Sequence, residues 1–489
     1  MCDEAQKFEN KQICVGCVSE IFLRDHIEKA QLTGQCEYCE SQDLVISMGN
    51  LSEFIGAAFT KHFLRTNNEP EPWETILIND KESTYVWHRE GVPIIDAIMD
   101  EAQVPKEAAI DIQGILAAKH YISCMEEIGE EGEFSSDAYY EQIAPGDKEW
   151  QEEWRRFEKT IKTESRFFSQ SATKQLRNLF DTLDEMRTYN GHPLIVDAGP
   201  CTKYTHLFRA RVFQKEETLI NSLKRPDLEL GAPPSHLASS GRMNSRGIAV
   251  FYGATSVGTA LAEVRPPVGS KTTAACFDIT RPIKLLDLTA LENIQETGSL
   301  FDPDYAYRIG RMTFLKKLCK RMTMPIMPDD QESEYLTTQA IADFLATEGK
   351  VALDGIIYPS AQVTSSGTNV VLFHKASRCK KLNIPKGTEI RVRTLHEGAG
   401  EDIQVIEELP SEFKMSDEIG NQLGTAGVRL RMSVNHDIDD RIETLSLNAE
   451  TIEVHVVEAV RIETRPTPVV RTHNKNEENP FLKGLATFI

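Results

Sequence analysis

The 489-residue chain lacks an apolar run of the ~20 residues that a membrane-spanning helix requires. The uncharged stretch Gly247–Ala262 is shorter than that and laced with Gly, Thr and Ser, which suits the core of a soluble domain. Nor does the N-terminus offer a secretory signal, because Asp3, Glu4, Lys7 and Glu9 interrupt any apolar segment there. A cytoplasmic location is expected. Positive charge is in deficit: 54 Lys and Arg face 75 Asp and Glu, for a formal net charge of −21. Such a surface repels nucleic acid and anionic membranes over most of its area, so both are disfavoured as partners, although a local basic pocket for a small anion is compatible with it. The ten cysteines do not read as a disulfide framework. Four cluster before residue 40, while Cys2, Cys124, Cys201, Cys276, Cys319 and Cys379 are scattered singly as ordinary thiols. A P-loop, a His-Glu-x-x-His sequence and a Gly-x-Gly-x-x-Gly sequence are all missing, so kinase, metalloprotease and Rossmann readings have no support.

What is present belongs to a folded protein: 40% of residues are apolar and 26% charged, proportions that exclude disorder on a large scale. At roughly 150 residues per domain, the length predicts about three parts. Residues 1–43 are polar, cysteine-rich and too few to hold a core without a staple. Residues 44–195 predict an α-helical domain, with Ile94, Ile95, Ile98 and Met99 opening one apolar-periodic segment and Ile110, Ile115, Leu116 and Ile122 marking another. Its last helix is predicted from Trp154, Phe157, Ile161, Phe167 and Phe168, then Leu176, Leu179, Phe180 and Leu183, and Tyr189-Asn190-Gly191-His192-Pro193 stops it. From 196 to 472 short β-rich runs alternate with turns and a few helices, an α+β pattern. The runs are Ile248–Tyr252, Thr273–Ile279, Gly355–Tyr358, Val370–Phe373, Glu389–Val392 and Ile452–Val460. Residues 473–489 read as a loose C-terminal tail.

Cys14-x2-Cys17 and Cys36-x2-Cys39 stand 18 residues apart, the spacing of a tetrathiolate zinc site. Each pair can turn both sulfurs inward, and two such knuckles close a tetrahedron; Gly16 and Gly34 suit tight backbone beside the ligands. Reduced thiols or a redox pair are the alternative, without a thioredoxin-like context to favour it. Four protein ligands leave no open position for water, so the zinc is expected to be structural.

A second constellation lies in the β-rich part. Gly241-Arg242-Met243-Asn244 reads as a Gly-bounded loop, Gly247 to Ala254 as a buried strand carrying Tyr252, and Thr259 to Val264 as a short helix presenting Glu263. Upstream, Leu207-Phe208-Arg209-Ala210-Arg211 is a strand whose period of two puts Arg209 and Arg211 on one face. Downstream, Asp354 to Pro359 is an apolar strand with Ser360 just past its end, and Gly367 to Phe373 follows as another.

These segments resemble the RES family, named for a shared Arg, Glu and Ser. The resemblance covers roughly residues 200–470, with Arg209 matching the family arginine, Tyr252 its tyrosine, Glu263 the glutamate and Ser360 the serine. It implies a fold related to ADP-ribosyltransferases, NAD as substrate, cleavage of the nicotinamide–ribose bond, and a toxin role restrained by a partner antitoxin or regulatory protein. The N-terminal regions resemble the segments found ahead of RES domains in longer members.

The residue types suit that chemistry. Cleavage builds positive charge on the ribose, which a carboxylate such as Glu263 can stabilise. A guanidinium can hold a pyrophosphate bidentately, so Arg209 is the candidate clamp, Arg211 its competitor and Arg242 a second contact. Tyr252 is placed to stack on nicotinamide or ribose, and Ser360 to bond the sugar or position Glu263. Taken singly, Glu263 and Arg209 read as surface charges, Tyr252 as a core aromatic and Ser360 as a turn residue; their joint order within the resemblance reverses that. Water, phosphate and a protein side chain all remain open as acceptors.

Two rivals stand beside this reading: a signalling protein that binds NAD or ADP-ribose, and a zinc-dependent nucleic-acid-binding regulator, which the net charge disfavours. Arg187 and His192 have a spacing used by some helical RNases, but His192 sits in a Gly-His-Pro turn. Tyr335 and Gln339, one helical turn apart, face either the pocket or the core. Self-association is compatible with the sequence and unspecified by it.

Overall fold

The computed structural model describes residues 8–121, 131–363, 367–397, 400–410 and 439–471; the expected tail 473–489, Ile122, Cys2 and Cys124 lie outside them. Helix and strand are mixed, as the α+β reading expects. Among the described residues no helix is long and apolar enough to cross a membrane.

The N-terminal part opens with a three-stranded sheet in which Gln42–Ser47 lies between Gln12–Cys14 and Thr33–Gln35. Helix Met48–His62 follows directly. Ser47 caps it, its hydroxyl accepting from the Asn50 amide, and Leu51, Ile55 and Phe59 line its buried face at spacings of four. Helices Ile94–Ala102 and Lys106–Lys119 contain the two expected apolar segments, and Ile94, Ile98, Ile115 and Leu116 are buried, whereas Ile110 faces solvent. Strands Phe63–Arg65, Val92–Pro93 and Tyr139–Gln142 form a small sheet in this otherwise helical region. At two to four residues each they are too short to leave an alternating pattern.

The expected last helix is two. Lys148–Lys159 runs on through a π turn at Thr160–Glu164, and a new helix begins at Gln170–Phe180. Ser169 caps the second helix by accepting from the Ala172 amide. Phe167 and Phe168 therefore fall in the break and are exposed, Phe168 with a φ of +60°. Helical periodicity cannot register such a break when the cap sits between two in-phase apolar sets.

The C-terminal part is built on a nine-stranded sheet with strands β1 (Ile195–Ala198), β2 (His206–Phe213), β3 (Phe251–Ala254), β4 (Lys271–Ile279), β5 (Ile283–Asp287), β6 (Gly355–Pro359), β7 (Thr368–Leu372), β8 (Cys379–Lys380) and β9 (Leu445–Val456). Their order is β8-β9-β4-β2-β3-β7-β6-β5-β1, antiparallel except for the β5–β6 and β8–β9 pairs. Helix α1 (Val257–Glu263) follows β3, and α2 (Tyr305–Thr323) and α3 (Gln331–Thr347) cover one face. The strand expected over Ile248–Tyr252 starts later because the Asn244 side chain binds the Ile248 carbonyl, tying it into a loop.

Among the described residues five buried hydrophobic clusters form, two of them much the largest. One gathers Ile13, Leu51, Phe59, Ile98 and Ile115; the other packs Trp154, Phe157, Leu176 and Leu179 against Phe314, Leu318, Ile341 and Leu345. Phe301, from the segment before α2, is buried in the first core, and the Lys61 ammonium donates to the Pro303 carbonyl over 2.9 Å beside it. Phe301→Ala should therefore cost about 3–5 kcal/mol and raise hydrogen exchange in both Met48–His62 and 299–305. Unchanged exchange in the helix would show that the two parts do not depend on this contact.

Candidate functional site

The loop Gly241–Asn244 closes on itself through the Gly241 amide donating to the Asn244 carbonyl. Asn244 is buried and fully used: its Nδ2 donates to the carbonyls of Ser239, Ser245 and Ile248, and its Oδ1 accepts from the Tyr252 hydroxyl at 2.9 Å. That hydroxyl also accepts from the Met243 amide at 3.0 Å. Burial pushes the phenol up to about 12, so it stays a donor at neutral pH. A Cβ on Gly241 would come within 2.6 Å of Asn244 Oδ1 and 2.7 Å of Tyr252 Oη, which only glycine avoids. From the other side, Gln339 Nε2 donates to the Gly241 carbonyl and Ser240 Oγ, and Thr338 Oγ1 to the Arg242 carbonyl. Gln339 thus braces the loop, while Tyr335 lines the cleft beside it.

That cleft encloses about 300 Å³ and is lined from β2 by Phe208, Arg209 and Ala210 and from β3 by Tyr252, Gly253 and Ala254. The two strands are in paired register only at Phe208–Ala254. Helix α1 packs alanine against alanine over this edge, Ala260 meeting Ala210 and Ala254, and ends on Glu263 in the cleft wall. Glu263 Oε1 accepts from Ser360 Oγ at 2.5 Å and from Asn369 Nδ2 at 2.7 Å. Among the described residues its Oε2 has no hydrogen-bond partner. Asn369 sits in β7 opposite both Ala254 and Tyr358. It is buried, and the only signal in the sequence was an amide inside an apolar strand, a position that requires a polar partner. Ser360 acts from behind the carboxylate rather than as a wall of the cleft.

The arginines separate clearly. Arg209 lines the cleft with its guanidinium 5.0 Å from the centroid of the Phe251 ring, and its Nη1 is out of solvent without a hydrogen-bond partner among the described residues. Burial, and after it the neighbouring Arg211, pushes Arg209 down to about 10, so it is still charged at neutral pH. Arg211 instead donates to the Glu229 carboxylate and carbonyl at 2.6 and 2.8 Å, outside the cleft wall. Arg242 lines the cleft, donating to the Met322 carbonyl and lying 5.2 Å from the Tyr335 ring centroid. Arg265 is a further cation in the wall that the sequence analysis did not single out. Arg187 bonds the carbonyls of Asp184 and Met186, and neither it nor His192 lines the cleft.

In the N-terminal core the Sγ atoms of Cys14, Cys17, Cys36 and Cys39 all lie within 4.8 Å of one another, a set that could hold a metal ion. Cys14–Cys39 and Cys17–Cys36 stand 3.4 and 3.9 Å apart. A tetrahedron of sulfurs at ~2.3 Å from a metal has edges of about 3.8 Å, so the cluster needs only small shifts to close. A Cβ on Gly34 would collide with the side chains of Gln12 and Val45, and one on Gly16 would meet Cys14 Sγ at 3.7 Å.

Tyr252→Phe would strand the Met243 amide and the side-chain Oδ1 of Asn244. An expected loss of about 1–3 kcal/mol follows, seen as a lower unfolding midpoint and faster proteolysis within 238–248. An unaltered protein would mean the hydroxyl does not hold the loop.

Residues 220–394 match the RES domain, and residues 29–175 match the HEPN/RES N-terminal domain 1. The first span contains Arg242, Tyr252, Glu263 and Ser360, while Arg209 lies just ahead of it; the second begins between the two cysteine pairs. No curated protein matches the chain. RES domains are associated with enzymatic toxins that act on NAD. The chain is a RES-domain protein that carries an N-terminal domain of the HEPN/RES kind.

Proposed function

We propose that the cleft binds NAD and cleaves its nicotinamide–ribose bond. The observation that carries this reading is the pairing, in one cleft, of a buried guanidinium nitrogen without a partner and a carboxylate fixed through one oxygen only. A buried unsatisfied donor is costly unless a ligand completes it, and a pyrophosphate oxygen would complete Arg209 Nη1. Arg242 supplies a second cation, and Tyr252 and Tyr335 supply ring faces for nicotinamide or ribose.

In the proposed step the C1′–N bond breaks and its electron pair leaves with nicotinamide. An acceptor oxygen forms the new bond to C1′ and gives up a proton. Positive charge develops on the ribose, and Glu263 is positioned to stabilise it through Oε2 while Ser360 and Asn369 hold Oε1. The acceptor is water, phosphate or a protein side chain, and analysis of the products in phosphate-containing and phosphate-free buffer distinguishes them. By family association we further read the protein as a toxin whose activity a partner restrains.

Incubation with NAD should release nicotinamide, and Glu263→Ala should lower the rate roughly 10²–10³-fold or more while the circular dichroism spectrum is kept. Wild-type release by a folded Glu263→Ala protein would overturn the assignment. Arg209→Ala should mainly raise KM, because a phosphate clamp acts on ground and transition states alike.

The four-cysteine cluster is proposed to hold one structural zinc, which would supply the staple that the small N-terminal sheet needs. Elemental analysis should find about one zinc per chain, and Cys14→Ser should abolish it and loosen residues 8–47 while nicotinamide release persists. Loss of turnover with an intact cleft would instead make the metal catalytic.

A further inference from the structure

Among the described residues, three arginines and a single carboxylate charge the walls of the cleft. NAD carries two phosphate charges and one pyridinium charge, so Arg209 and Arg242 together neutralise its pyrophosphate. Arg265 is left over. Its guanidinium makes no hydrogen bond or ion pair among the described residues, and it is exposed, whereas Arg209 Nη1 is buried.

The backbone makes this placement notable. Arg265 has a φ of +45°, in the left-handed region that a non-glycine residue seldom adopts. It also precedes Pro266, and a following proline disfavours helical conformations at the residue before it. A turn with such requirements would favour glycine or asparagine. The chain instead spends the position on a long cation facing a cleft that already has two.

Building on the dinucleotide reading above, we propose that Arg265 receives a phosphate monoester, the 2′-phosphate of NADP, so that the cleft takes NADP as a substrate as well as NAD. In this pose the nicotinamide end meets Glu263 and the pyrophosphate meets Arg209 and Arg242, so the exposed Arg265 is the wall cation left to meet a further phosphate on the adenosine ribose. A guanidinium binds a phosphate dianion bidentately, a contact that NAD does not offer.

The test measures nicotinamide release from NAD and from NADP by the full chain, with and without inorganic phosphate, alongside calorimetric titration of both dinucleotides into the Glu263→Ala protein. Arg265→Ala is compared with Arg265→Asn, since asparagine accepts the left-handed backbone and guards against misfolding. Loss of one charge-assisted phosphate contact should lower kcat/KM for NADP about ten- to a hundredfold and that for NAD less than about threefold. Both variants should show this change in the NADP-to-NAD ratio, whether or not phosphate is present. An equal fall on both dinucleotides would overturn the proposal and make Arg265 a pyrophosphate contact. A fall seen only with added phosphate would overturn it in favour of a free-phosphate site. Arg265-dependent binding of NADP without nicotinamide release would keep the phosphate contact but overturn NADP as a substrate together with the glycosidic reading, and binding of neither dinucleotide would sink both.

Discussion

The carboxylate of Glu263 is the constraint around which the cleft is organised. A charged group half out of solvent must be hydrogen-bonded, and its Oε1 meets that need from two places far apart in sequence: Ser360, at the end of β6, and Asn369, in β7. Satisfying one oxygen from behind fixes the end of α1 against the sheet and leaves the other without a hydrogen-bond partner among the described residues. The small residues Ala210, Ala254 and Ala260 allow α1 to sit close enough for those bonds to form. On the opposite wall, the Tyr252 hydroxyl and the Asn244 amide satisfy each other and hold the arginine-bearing loop at the same opening.

Much of this was legible in the sequence, for identifiable reasons. The cysteine pairs were readable because metal ligation fixes spacing, and the four sulfurs do converge. Strands β6 and β7 were readable as apolar runs between turns, and Glu263 falls where the short-helix reading puts it. Arg209 and Arg211 could not be told apart, because alternation gives two residues the same face and says nothing about which neighbour each finds. Glu229, which takes Arg211, belongs to the short helix Pro226–Glu229, 18 residues away. Asn369 and Asn244 were missed as site residues for the same cause: an amide reveals its role only when the groups it bonds are known, and those come from other elements.

The packing between the parts was the least legible. Helices Lys148–Lys159 and Gln170–Phe180 show their apolar faces plainly, yet nothing in a periodicity names α2 and α3 as their partners. Phe301 reads as an ordinary loop aromatic until the N-terminal core is seen to enclose it. One physical link between that junction and the cleft follows: α2 begins at Tyr305, beside the buried His62 ring, and its 19 residues rise about 28 Å to Thr323 in the cleft wall. The Met322 carbonyl near that end accepts from Arg242, so the second cleft cation is seated on the helix that the N-terminal part also touches.

The central claim is that this cleft develops positive charge on the ribose carbon of a nicotinamide dinucleotide. The most direct measurement is the secondary isotope effect on nicotinamide release from NAD bearing deuterium at C1′ of the nicotinamide ribose, under conditions where chemistry limits turnover. An oxocarbenium-like transition state facing Glu263 predicts slower release from the deuterated substrate. Equal rates for the two substrates under those conditions, or no release from either, would contradict the account.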